Sequence, residues 1–159
     1  MKKIISIILI TLFVFALAGC TSNQNSTTQQ KEEELKPFCC EKFIMIINND
    51  TYELTNVGRC RDNQVIIPST YKDLPVVAIS GGAFEGCQNI TSITIPTSIK
   101  TIGNNAFHGC VSLAEINYLG TVAEWNKITL NNDWNFNTDE YVIHCKDGDI
   151  AKDGTVTYK

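Results

Sequence analysis

The chain has 159 residues, 43% of them hydrophobic and 19% charged, with seven cysteines and a formal net charge of −4. That length holds one domain and is short for a multidomain enzyme. The charge balance leaves no basic excess for a nucleic-acid footprint, and the apolar fraction is too ordinary for wholesale disorder.

Lys2 and Lys3 precede an apolar run from Ile4 to Ala18. As a helix that run would measure roughly 22 Å, short of a bilayer core of about 30 Å and right for a secretory signal. It ends in Leu17-Ala18-Gly19-Cys20, which resembles the bacterial lipobox. The resemblance implies a diacylglyceryl group on Cys20 and cleavage before it, making residues 1–19 a lipoprotein signal peptide. Two acyl chains anchor stably where one holds only marginally, so the domain is expected outside the cytoplasm, tethered to a bacterial membrane.

Thr21 to Gln30 contains only Thr, Ser, Asn and Gln, and Lys31-Glu32-Glu33-Glu34 follows. With nothing apolar to bury, residues 20–36 read as a flexible tether. Phe43 to Ile47 and Thr51 to Leu54 flank Asn48-Asn49-Asp50. That pattern predicts a β-hairpin with a three-residue loop, placed in an N-terminal cap over 37–64.

The middle of the chain repeats. Gly82-Ala83-Phe84-Glu85-Gly86-Cys87 returns 23 residues later as Asn105-Ala106-Phe107-His108-Gly109-Cys110. The same shift carries Ile79 to Ile102, Ile90 to Leu113, Ile93 to Ile116 and Ile95 to Tyr118, all apolar. A fixed period in the twenties with a constant apolar phase marks a solenoid. A looser copy begins at Val65-Ile66-Ile67-Pro68. Within a unit, Ile93 and Ile95 share one face of a strand, which Pro96 ends.

The pattern Ile-x-Ile-Pro-x-x-Ile-x-x-Ile-Gly-x-x-Ala-Phe-x-Gly-Cys resembles the BspA-type leucine-rich repeats of bacterial surface proteins. Ile95 to Cys110 fits nearly throughout, and the likeness extends from about Tyr52 to Ile150. It implies a short β-rich leucine-rich-repeat solenoid of two to three turns, with repeats over 65–118. It also implies a surface-exposed interaction protein, adhesion-like and without catalysis.

A C-terminal cap of a short helix plus strands is expected over 119–159. Thr121-Val122-Ala123-Glu124 reads as a capping box, with Val122, Trp125 and Ile128 on one helical face. Trp134 and Phe136 read as core of this cap. Tyr141 to Cys145 and Thr155 to Tyr158 read as two strands around Asp147-Gly148-Asp149.

No catalytic, metal or cofactor pattern emerges. His108 falls in a variable slot and His144 on a strand surface. Asp133-x-Asn135-x-Asn137-x-Asp139 alternates like a calcium loop but has Thr138 and His144 where glycine and glutamate are required. Two Asp-Gly turns account for 147–154 better than a second such loop. Cys87 and Cys110 lie within disulfide reach on neighbouring turns, yet their side chains run parallel, so buried thiols are expected. Cys39 and Cys40 cannot easily bond each other, and Cys60 is left free or paired with one of them.

If Ile93 and Ile95 face inward, Ser92 and Thr94 face out, with counterparts Glu115 and Asn117 one turn on and Gln64 and Ile66 one turn back. These six residues are the candidate contact surface for a protein or cell-surface partner. The alternative reading is an envelope solute-binding or cell-wall-binding lipoprotein, against which the small structured length argues.

Overall fold

The computed structural model describes residues 44–58 and 61–159. The expected signal peptide (residues 1–19) and expected tether (residues 20–36), with Cys20, and also Cys39, Cys40 and Cys60, lie outside the described residues. The chain opens with strands β1 (Ile44–Asn48), β2 (Thr51–Asn56), β3 (Gln64–Ile66), β4 (Thr70–Tyr71) and β5 (Leu74–Ile79). Next come β6 (Ser92–Ile95), β7 (Thr101–Ile102), β8 (Glu115–Tyr118) and a one-turn helix α1 (Val122–Trp125). Last are β9 (Thr129–Leu130), β10 (Val142–His144), β11 (Gly148–Ala151) and β12 (Val156–Tyr158).

The strands form two sheets. One runs β1-β2-β5-β7-β9, with β4 paired to β5; the other runs β12-β11-β10-β8-β6-β3. From β2 to β9 in the first, and from β3 to β10 in the second, neighbours are parallel. Each coil therefore gives one strand to each sheet, and the described residues make a β-rich solenoid of about four turns.

Register stacks like on like. Val65, Ile93, Ile116 and Ile143 pair in a row and are all buried, as are Ile95 and Tyr118 beside them. Pro96 follows Ile95 directly and ends β6, since it cannot donate to the ladder. The turns stack as well: Phe84 N–H donates to Ala106 O at 2.8 Å, and Phe107 N–H to Trp134 O at 2.8 Å.

The count of about four turns exceeds the two to three legible in the sequence, because the last turn is disguised. Gly82, Asn105 and Asp133 hold φ of 69°, 56° and 54°, and Gly86, Gly109 and Asn137 hold 72°, 72° and 56°. Asp133 to Asn137 is thus a third copy of the glycine turn, with Asp and Asn taking the left-handed slots that few other residues tolerate. A longer spacing, which accommodates α1, moves it out of the 23-residue phase.

Three local expectations need correction. The β1–β2 turn has two central residues, Asn49 and Asp50, both at positive φ, while Asn48 pairs with Thr51. Gly148 begins strand β11 and is not part of a turn; only Gly154, at φ 89°, sits in one. Phe136 is 58% exposed, so it is not core, whereas Trp134 packs against the core.

Candidate functional site

The outer face of the second sheet is built by alternation. Between buried Val65, Ile93 and Ile116 stand residues that point the other way. Gln64 pairs with Ser92 and Ser92 with Glu115; Ile66 pairs with Thr94 and Thr94 with Asn117. The six sequence-derived candidates thus form two straight columns. Gln64, Ile66 and Glu115 are exposed, and Ser92, Thr94 and Asn117 are half-buried by their neighbours.

Asn117 Nδ2 donates to Ser92 Oγ at 2.9 Å, joining the two columns diagonally. Both columns run on into a fourth rung that the sequence reading missed. Val142 pairs with Glu115, and His144 with Asn117. The signal that could have found them is the pair of left-handed Asp133 and Asn137, which reveals the extra turn.

His144 ends its column against Asp149 and Lys159. Its Nδ1 lies 2.9 Å from Asp149 Oδ1, and Lys159 Nζ lies 3.1 Å from the same oxygen. Hydrogen bonds from His144 and Lys159 hold the Asp149 carboxyl below the usual aspartate range. The face therefore grades from uncharged hydroxyls and amides, with Glu115 inset, to a small ionic cluster.

A family described as the BspA type leucine rich repeat region (6 copies) matches residues 58–141, more than half of the chain. The chain belongs to this family. Among curated proteins, none matches it. A leucine-rich repeat protein of T. pallidum is 31% identical, with a TM-score of 0.43, over 47% of this chain and 40% of that structure. The chain thus spans about two fifths of the length of that protein structure. One from Bacteroides capillosus is 25% identical, with a TM-score of 0.46, over 62% of this chain and 91% of the other. A leucine rich cell surface protein of Faecalibacterium prausnitzii is 22% identical, with a TM-score of 0.40, over 61% and 24%.

Among the described residues of this leucine-rich-repeat domain the thiols are tucked away. Cys87, Cys110 and Cys145 are free, buried thiols. Burial pushes Cys110 up to about 12, with Cys87 beside it adding to the rise, and pushes Cys145 up to about 11. The Cys110 thiol donates to Phe84 O at 3.2 Å, so the repeated cysteine serves the turn it lies under.

His108 is half-buried; its Nδ1 lies 3.1 Å from Glu85 Oε1, and its ring stacks on Phe136 at 5.5 Å. Glu85, His108 and Phe136 occupy the same slot of successive turns and make a third column, on the turn side. Among the described residues no group of three His, Cys, Asp or Glu side chains is gathered to hold a metal ion.

Cavities beside α1 and at the C-terminal end of the stack indent the described residues. The smaller, about 160 Å³, lies beside α1 between Lys100, Tyr118 and Lys127. The larger, about 290 Å³, lies at the C-terminal end of the stack, walled by Trp125, Trp134 and Tyr141.

Proposed function

We propose that this protein is a lipid-anchored bacterial surface protein whose repeat face engages a protein or cell-surface partner. The anchor is Cys20, on the lipobox resemblance of Leu17 to Cys20, and the domain is displayed outside the cytoplasm. The contact surface is the pair of columns Gln64, Ser92, Glu115 and Ile66, Thr94, Asn117, lengthened by Val142 and His144. The observation that carries the reading is their register: paired side chains repeat at the interstrand spacing of about 4.8 Å, giving a flat, regular surface. Ile66, half exposed among polar neighbours, supplies an apolar point near one edge.

Thr94→Lys with Asn117→Lys places two ammonium groups in the middle of the face. Intact cells expressing that variant should lose attachment to host or bacterial surfaces while the protein keeps its circular dichroism and melting temperature. Unchanged attachment by a folded variant removes this face as the contact surface. Metabolic labelling with a fatty-acid analogue tests the anchor, and label must vanish in Cys20→Ala.

A further inference from the structure

The two sheets end unequally. The first stops at β9, whereas the second continues past β10 into the antiparallel strands β11 and β12. Those two strands thus have no partner from the first sheet, and the room where a fifth rung would lie is the cavity of about 290 Å³. Ligand pockets run from about 300 Å³ upward, so this one suits a ligand the size of a single sugar ring.

We propose that this end cavity binds one neutral pyranose residue of a glycan. The walls are aromatic. Trp134 lies 6.2 Å from Trp125 and 6.0 Å from Tyr141, centroid to centroid, with interplanar angles of 60° and 65°. Trp125 and Tyr141 are buried and back the partly buried Trp134, whose remaining aromatic surface accepts the C–H face of a pyranose.

Polar groups stand among the rings. Asn135 Nδ2 donates to the Tyr141 hydroxyl at 2.6 Å, leaving the amide oxygen as acceptor and the phenolic proton to be given away. Lys152 Nζ donates to Thr138 O and Asp139 O at 2.7 and 3.1 Å and lies 5.9 Å over the Tyr141 ring. One ammonium proton is left. Asn126 adds an exposed amide to the lining.

That combination decides the ligand class. A purely apolar guest would strip water from the amides and the ammonium without replacing their hydrogen bonds. An anion would find one cation, already committed to two carbonyls. A sugar ring offers an apolar face and a hydroxyl edge together. None of the column residues lines this cavity, so it stands or falls without the outer-face reading.

The chain has two tryptophans, and both line this cavity. Tryptophan emission of the full chain is therefore a local reporter. Methyl β-glucoside, methyl β-galactoside and N-acetylglucosamine would be titrated separately, and at least one should give a saturable change. Comparing N-acetylglucosamine with the neutral hexosides separates an amino-sugar cell-wall source from a hexose-rich surface glycan.

Asn126→Ala, at an exposed position, should weaken that binding about fivefold. Thr94→Lys with Asn117→Lys should leave it unchanged. No saturable response to any of the three sugars from natively folded protein overturns the proposal. Saturation by an apolar probe such as indole alone overturns the sugar class.

Discussion

Phe84 and Phe107 lie ring on ring, centroids 5.0 Å apart and planes 15° from parallel, each fully buried. They hold the same position of successive turns, so this contact joins two coils that ladder hydrogen bonds, the Cys110 thiol on Phe84 O and the His108–Glu85 pair also link. Phe107 also meets Trp134 edge to face at 5.8 Å, which places it at the centre of a three-turn aromatic column.

Phe107→Ala opens a cavity that neither ring can close, because both are held by their own backbone ladders. The expected cost is about 3–5 kcal/mol, read as a lower urea midpoint at unchanged slope. Phe107→Leu keeps much of the volume and should lose about half as much or less. A loss under about 1 kcal/mol for the alanine variant contradicts the column.

How much of this was legible in the sequence follows from what repeats show openly. Phe84 and Phe107 were readable because identical residues recur in phase with Ile79 and Ile102. The six face residues were readable for the same reason, since alternation on a strand leaves one choice of side. The fourth rung was hidden because Asp133 and Asn137 replace glycines by another route to positive φ, and Trp134 stands in the slot of Ala83 and Ala106. Chemistry spread over spacing, as in the end cavity, was not legible: Trp125, Asn135 and Lys152 meet only because the first sheet stops early.

Gly103 and Gly86 should lose unequal amounts of stability when each is changed to alanine. A Cβ on Gly103 would lie 2.4 Å from Gly81 N, 2.8 Å from Ser80 C and 2.9 Å from Gly81 Cα, all backbone. Two coils would have to move apart, so Gly103→Ala should cost about 3 kcal/mol or more. At Gly86 a Cβ meets nothing within 4 Å, and only the positive φ of 72° is penalised. Gly86→Ala should cost about 1–2 kcal/mol. Chemical denaturation of the two variants side by side checks the order, and equal losses would contradict the close packing at Gly103.

The buried thiols predict an alkaline limit. Cys110 and Cys145 are held protonated up to about 12 and 11, above the ordinary thiol value of 9.0 that applies once the chain unfolds. Stability from keeping them neutral is fully present below pH 9 and is lost as pH rises towards those folded values. Melting temperature should therefore fall progressively above pH 9, and less steeply in Cys110→Ala. At pH 8 the three thiols should react with iodoacetamide far more slowly in native than in unfolded protein. Rapid native labelling of Cys110, followed by mass spectrometry, would contradict its burial.

The helix that displaces the fourth turn rests on its first residues. Thr121 Oγ1 accepts from Glu124 N–H at 3.2 Å while Glu124 Oε2 accepts from Thr121 N–H at 2.8 Å. The reciprocal pair settles two of the donors that a helix start leaves open. Thr121→Ala should cost about 1 kcal/mol, and Thr121→Ser should restore most of it. The backbone and hydroxyl donors of Thr121 also hold the Glu124 carboxyl below its ordinary value of 4.5. Its contribution is thus present above pH 4.5 and fades as pH falls through the lowered folded value. The stability gap between the parent chain and Thr121→Ala should narrow on acidification below about pH 4. A gap that stays constant from pH 7 to pH 3 in equilibrium denaturation would show that Glu124 takes no part in the cap.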